Sequence, residues 1–461
     1  MGTTSSSEVE AERILRSLKP ATRTEAEKGF KRIARGAPAF SYEDFEKSLV
    51  SIHDLSGALP RDVIRKLFRH AYGSEDAVVG WPEYVKALAR YEGKGPKRAI
   101  YDALTEQPEE KDKVVLKILG CFAPGGQGDD AGRRDLLDSL EHTIDVILSG
   151  GKVYMTDRQT DSSSVLEQSL SFDAFVKITR VVPSALDCLS AVCDPVPRAL
   201  PKPALRYSLD RERSLLTPPR AFFLSKVLGT GSTWVQVFHS DKLGKAWPSM
   251  LKQVEERQRT LILIKTKEGA VVGGLGGATW YKAAKFFGEE DGGGGSSVFS
   301  LHPVARVYNC TGFNNNFQYL ASGKEAFFTL CYPGVSREHV LTDDCFFRPC
   351  ASGCVSGINP NGLGFGGQVK NFALFLDSNL DVGHSYPSAT FNNLPLHHCT
   401  SEGGKFAVDQ VEVWAPQDVL DQEKEESEGN PSKGVLHNEK FKADQMILGF
   451  AGKYQAHHEQ A

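Results

Sequence analysis

The hydrophobic period of this chain changes once, at a cluster of prolines, and that change confines its helices and sheets to separate stretches of sequence. DPVPRALPKPAL places four prolines, Pro195, Pro197, Pro201 and Pro203, within nine positions. Proline removes backbone donors and disfavours helix in the residue before it, so residues 196–204 read as an extended linker. Before the cluster, TEAEKGFKRIARG, PRDVIRKLFRHAYG, KDKVVLKILGCF and RRDLLDSLEHTIDVILSGG carry apolar residues three and four apart, the spacing of amphipathic helices. After it, VQVF, TLILIKT, FALFLD and FAVDQVEVW alternate with the period of two expected of strands. Helices grouped before strands predict an α+β chain, with an all-helical module over residues 1–195, rather than a doubly wound parallel sheet.

A length of 461 residues accommodates two or three domains with a sizeable core. The formal net charge of −4 argues against a nucleic-acid footprint or a generally cationic membrane surface. No apolar run approaches the roughly 20 residues needed to span a bilayer. MGTTSSSEVEAERILRSLK lacks the apolar centre of a secretory signal, and nine dispersed cysteines, an odd number, do not suggest a disulfide framework, so a reducing compartment is expected.

Within the helical module, VVGWPEYVKAL and SLSFDAFVKI each resemble the second half of an EF-hand, where an acid and an aromatic precede the exiting helix. Calcium requires oxygen donors at loop positions one, three and five and glycine at six. Counting back from Glu83 places Tyr72 first and Ala77 sixth; counting from Asp173 places Ser162 first and Leu166 fifth. Both are expected to be metal-free helical pairs.

No constellation of catalytic residues emerges. Glu412, between Val411 and Val413, reads as a strand carboxylate on the polar face or paired with a neighbour, with a general base as the alternative. His397, His398 and Cys399, together with Cys345, Cys350 and Cys354, supply zinc-type ligands but lack a paired two-residue knuckle. GGLGG at 273–277 and GLGFGG at 362–367 lack the lysine and hydroxyl that end a phosphate loop, and they suit bulges and close backbone approach within strands. No cofactor is expected.

From Ala221 to Trp414 a longer series of landmarks appears in order: TWVQVFHSDKLGKAW, TLILIKTKEGAVVGGLGGATW, VFSLHPVARVYNCTGFNNNFQY, GLGFGGQVKNFALFLDSNLDVGHSYPSATFNNLPL and FAVDQVEVWAP. This series resembles the TLDc domain family over nearly its whole length, which implies a β-sandwich with flanking helices across residues 205–416. Two departures are compatible with that core: Trp247 stands where many relatives carry phenylalanine, and EEDGGGGSS at 289–297 lengthens one hairpin into a flexible insertion. The resemblance also implies a non-enzymatic regulator associated with the vacuolar-type proton-translocating ATPase and oxidative-stress resistance. Two alternatives are a redox-active thiol protein and a calcium-responsive membrane adaptor.

The two termini extend the resemblance to a lysosomal, TOR-associated subset of the family. Met1, Gly2 and Ser6 match the N-myristoylation pattern with Gly2 as acceptor, although the same residues suit an ordinary flexible start. One acyl chain binds membranes only marginally, and Glu8, Glu10 and Glu12 offset Arg13 and Arg16, so a protein partner is expected as second anchor. After Trp414, residues 417–437 read as an acidic linker, and residues 438–458 as an amphipathic helix with Asn438 as N-cap. Its apolar face, including Phe441, Ile447, Leu448 and Phe450, would dock in a partner's groove or fold back on the TLDc domain. The implied partners are peripheral-sector pump subunits and TOR pathway components, at the cytoplasmic face of lysosomal or vacuolar membranes.

Overall fold

The computed structural model describes residues 6–53, 61–105, 115–116, 118–119, 130–148, 170–193, 200, 203–229, 232–288, 295–322, 327–331, 348–349, 354–358, 360–369, 371–397 and 404–429. These residues form an α+β protein in which a helical module covers one face of a large, mainly antiparallel sheet.

The module opens with helices α1 (Ser6–Ser17) and α2 (Pro20–Ala34), the latter starting on a proline that costs nothing where the N–H has no helical partner. Strand β1 (Ala39–Phe40) then leads into α3 (Tyr42–His53); α4 (Arg61–Tyr72) and β2 (Val79–Gly80) lead into α5 (Trp81–Lys94). β1 and β2 pair antiparallel, Ala39 opposite Gly80 and Phe40 opposite Val79, so two helix–strand–helix units face each other as in an EF-hand pair. The partner of VVGW is thus the PAF segment ending at Phe40, while SLSF leads into a helix, with Ser171 Oγ accepting the Ala174 N–H at 3.2 Å. The two short strands also interrupt what read as an all-helical module. Aromatic packing holds the pair together, Phe40 lying 5.7 Å from Phe30, 5.8 Å from Tyr72 and 6.1 Å from Tyr84 between ring centroids. Tyr72, at the position of a first calcium ligand, therefore turns its ring into the core. The module continues through α6 (Pro96–Thr105), α7 (Asp130–Leu148), α8 (Phe172–Val181) and α9 (Pro183–Cys193).

Beyond the proline cluster, β3 (Ala204–Arg206) runs parallel to β4 (Thr233–His239), so Ala204 already belongs to a strand where an extended linker was expected. Four strands follow in antiparallel order, β5 (Thr260–Thr266), β6 (Val271–Gly276), then β8 (Ser297–His302) and β9 (Arg306–Asn309). A second layer orders β7 (Ala283–Phe287), β10 (Gln318–Ala321), β14 (Gly362–Gln368), β15 (Asn371–Asp377) and β16 (Val382–His384). Strands β11 (Phe327–Cys331), β12 (Arg348–Pro349) and β13 (Cys354–Ile358) make a small separate sheet. The last strand, β17 (Lys405–Pro416), joins the layers: its first residues pair with β16 and its remainder with β5 and β4.

Between the layers, Ile262, Ile264 and Val272 meet Leu363, Phe365 and Leu374. Glycine is required at the closest approach, since a Cβ on Gly274 would lie 2.7 Å from the Phe365 ring. The opposite face of β5 and β6 is also apolar: Leu261, Leu263 and Leu275 share a core with helical-module residues such as Leu136 and Leu140. β5 is thus buried on both sides, which explains why LILI at 261–264 is apolar on both faces of the strand.

Four short helices decorate the sheet, α10 (Pro218–Phe223), α11 (Ser225–Leu228), α12 (Ser240–Leu243) and α13 (Trp247–Val254). The acidic stretch after Trp414, expected as an exposed linker, instead starts as helix α14 (Gln417–Gly429) directly from β17. Arg257 grips Glu423 through two hydrogen bonds of 2.8 and 2.9 Å, giving one carboxylate of the acidic run a fixed cation. Among the described residues no helix is long and apolar enough to cross a membrane.

Candidate functional site

The centre of β17 carries a charged side chain in a position that period-two reasoning did not resolve. Glu412 is fully buried, not on a polar surface, because β4 and β5 flank it and the segment before α10 closes over it. Its Oε1 accepts the Leu215 N–H at 2.8 Å and the Gln410 amide at 3.0 Å; its Oε2 accepts the Ser214 hydroxyl at 3.1 Å and the Trp414 indole N–H at 2.9 Å. Burial raises its pKa to about 7, against the downward pull of those donors.

His239 lies opposite Glu412 in the β4–β17 register, with Nε2 3.5 Å from Oε1. Burial lowers its pKa, so the ring is neutral and the contact is not an ion pair. The Asp241 N–H donates to Nδ1 at 3.2 Å, which places the ring proton on Nε2. Gln410 Nε2 donates to Glu412 Oε1 and to the Arg213 carbonyl, and lies 3.2 Å from His239 Nε2.

From this carboxylate a chain of contacts runs to the helical module. The Leu215 carbonyl accepts Arg220 Nη1 at 2.9 Å, and Arg220 Nη2 meets Asp135 of α7 at 2.6 Å. Asp135 also lies 2.9 Å from His302 Nδ1, at the end of β8. Burial pushes the Asp135 carboxyl up, but hydrogen bonding from His302 and the Arg220 guanidinium outweigh it and hold the group below the ordinary range. Beside it, the Ser139 carbonyl accepts the Ala305 N–H at 3.2 Å, and the Thr143 hydroxyl donates to the Ala305 carbonyl at 3.0 Å. A cavity of about 550 Å³ opens at this seam, lined by Asp135, Arg213, Arg220, Lys265, His302 and Asp409 among others.

Chemically, the Glu412 cluster positions its own chain. Both carboxylate oxygens are occupied by donors and neither reaches solvent, so the group orders the Ser214–Leu215 segment on which Arg220, and through it α7, is aligned. Sequence reading singled out Glu412 but not Ser214, His239, Arg220, Asp135 or His302. The available signal was the alternation of Gln410, Glu412 and Trp414 along one side of an otherwise apolar strand.

The other sequence-level candidates are dispersed. Gly2, Phe441, Ile447, Leu448 and Phe450 lie outside the described residues, as do His398, Cys399, Cys345 and Cys350. His397 is buried edge-on against Phe406, 4.6 Å between centroids, with Nε2 3.2 Å from the Lys405 carbonyl. Among the described residues no group of three or more His, Cys, Asp or Glu side chains has the arrangement of a metal site. The strand glycines are filled by neighbours: a Cβ on Gly273 would meet the Phe299 ring, and one on Gly364 the Phe372 ring, each within 3 Å.

The double layer joined by one long strand, with the Glu412 network at its centre, coincides with the stretch of this chain that matches a family model, that of the TLDc domain. The family model for that domain matches residues 210–331 and 343–417 of this chain. Over 224 residues the chain is 29% identical to MTOR-associated protein MEAK7 of Danio rerio, covering 48% of this chain and 41% of that protein. It is 26% identical over 201 residues to MTOR-associated protein MEAK7 of Homo sapiens, covering 43% of this chain and 35% of that protein. A more distant match, 25% over 233 residues, is to oxidation resistance protein 1 of Rattus norvegicus, covering 50% of this chain and 22% of that protein. The matches thus span well under two thirds of the length of these relatives.

Proposed function

We propose that this chain is a non-enzymatic regulator that binds the peripheral sector of the vacuolar-type proton-translocating ATPase and links it to TOR signalling and oxidative-stress resistance. The observation that carries the non-enzymatic reading is the closure of the Glu412 cluster. The best candidate for a general base has no open oxygen and no exposed surface, so its chemistry is spent on internal positioning. The TLDc domain supports a pump partner, and the names of the MTOR-associated relatives support the TOR link. Acylation of Gly2 would hold the chain at the cytoplasmic face of a lysosomal or vacuolar membrane, with the pump as second anchor. The face formed by Phe441, Ile447, Leu448 and Phe450 would provide a tethered contact with a neighbouring pump element.

Affinity capture with the full chain from detergent-solubilised membranes tests the reading. Recovery of peripheral pump subunits, lost from the membrane fraction in Gly2→Ala, is the expected result. Capture without pump subunits, combined with stoichiometric consumption of peroxide by the purified chain, would transfer the function to the thiol alternative.

A further inference from the structure

We infer that the turn bearing Phe313 is a preformed docking site for a protein partner that presents an uncharged apolar socket; this deepens the regulatory reading and rests on it. Phe313 is 74% exposed, more than any other large apolar side chain among the described residues. It follows Gly312, whose φ of +75° makes the tight turn that a side chain there would strain. Four residues later Phe317 is buried in the sandwich, so the exposed ring and its anchor sit on one short segment.

The turn is fastened on both sides. The Thr311 N–H donates to the Thr390 carbonyl at 2.9 Å, and the Thr311 hydroxyl donates to the Ala389 carbonyl at 2.7 Å. The Thr390 hydroxyl donates to Asn314 Oδ1 at 2.9 Å while accepting the Gly367 N–H at 2.9 Å. Asn314 Oδ1 also accepts the Asn316 N–H at 3.2 Å, and Asn316 Nδ2 donates to the Gly367 carbonyl at 2.9 Å. The adjoining turn is anchored by buried Phe391 and carries Leu394, 46% exposed. Because the backbone is ordered before any encounter, association would forfeit little loop entropy.

The charge pattern selects the occupant. Residues 311–316 and 388–394 contain no ionisable side chain, in a chain of which 24% is charged. An anionic bilayer gains no electrostatic attraction from such a surface, and one ring inserts only weakly. A protein interface is the matching case, because its buried centre is enriched in aromatics and depleted of charge, and fixed Asn and Thr groups at the border suit partners of fixed geometry.

The test measures binding of the full chain to purified peripheral pump sector, comparing wild type, Phe313→Ala and Val382→Ala, the last removing an exposed side chain on β16. Phe313→Ala should weaken binding by about 30-fold, the effect of an interface anchor, with Val382→Ala and both melting temperatures unchanged. Phe313→Leu should recover part of the loss. Wild-type binding that Phe313→Ala leaves intact would overturn the docking site and leave the pump reading standing. An absence of wild-type binding would overturn the pump reading and this site with it. Phe313-dependent sedimentation with phosphatidylserine vesicles would reassign the turn to a lipid surface.

Discussion

The enclosed network around Glu412 and the exposed one around Phe313 are built from similar parts and put to opposite uses. In the first, a serine, a glutamine, an indole and a backbone amide converge on a carboxylate inside the sheet, and the product is a fixed junction between two modules. In the second, two threonines and two asparagines fasten a turn, and the product is an aromatic ring held out in solvent. Dense polar bonding therefore does not by itself mark an interior or a site. What distinguishes the two is which group the network holds, and whether water can reach it.

This contrast is most directly broken at Glu412. Glu412→Ala strands four donors in a site closed to water, and should cost about 4 kcal/mol of stability, read from the midpoint of chemical denaturation. A loss below about 1 kcal/mol would mean that the network is not a source of order.

The next effect concerns pH. Glu412 titrates at about 7 when folded, against an ordinary value of 4.5, so between those values the folded state retains a proton that the unfolded chain has released. Stability should then fall as pH rises from 4.5 to 7 and level off above, by on the order of 3 kcal/mol, with that slope absent in Glu412→Gln. Asp135 has the opposite sign: its carboxyl is held below 3.8, so the seam contributes stability that is lost as pH falls below that value. Denaturation midpoints across pH 4 to 8 for the two proteins decide the matter; parallel profiles would remove the assignment to Glu412.

At the seam itself, Arg220→Ala removes a largely buried guanidinium from Asp135 and from the Leu215 carbonyl, and should cost about 2 kcal/mol. Hydrogen exchange should accelerate at the Ala305 amide, which bonds across the junction to Ser139, and at the amide of Leu215, whose carbonyl loses its partner Arg220. Smaller still, Thr390→Val should cost about 1 kcal/mol and speed exchange in residues 311–316 while sparing the seam. Smallest is Phe313→Ala, which should change stability by no more than about 0.5 kcal/mol, since an exposed ring contributes little to its own fold. A markedly lower melting temperature in that variant would place the ring in the core and erase the contrast.

Much of the fold was legible because it depends on local spacing. The change of period around Pro203 separates the mainly helical module from the large sheet, and VQVF, TLILIKT, FALFLD and FAVDQVEVW all lie in strands. What was not legible depends on which distant segments meet. Ser214 and Glu412 are 198 positions apart and Asp135 and Arg220 are 85 apart, so no local pattern announces either contact. The PAF segment escaped notice as the partner of β2 because a two-residue ladder has no period, and it carries none of the acids that drew attention to VVGWPE. The acidic run after Trp414 was misread because charge density suggests solvation, whereas Arg257, far away in sequence, selects one of its carboxylates.

The passage from β17 straight into α14 gives the molecule a mechanical axis. With no intervening loop, tension applied at Gly429 would be resisted first by the forked grip of Arg257 on Glu423, then by shear of a strand bonded to β4 and β5 on either side. Hydrogen bonds sheared together yield far less readily than a hairpin unzipped one bond at a time. The same strand passes through Glu412, so a pull on the helix would bear on the segment that aligns the helical module. A chain fastened to a moving machine by its far end would feel that motion as strain along a single strand.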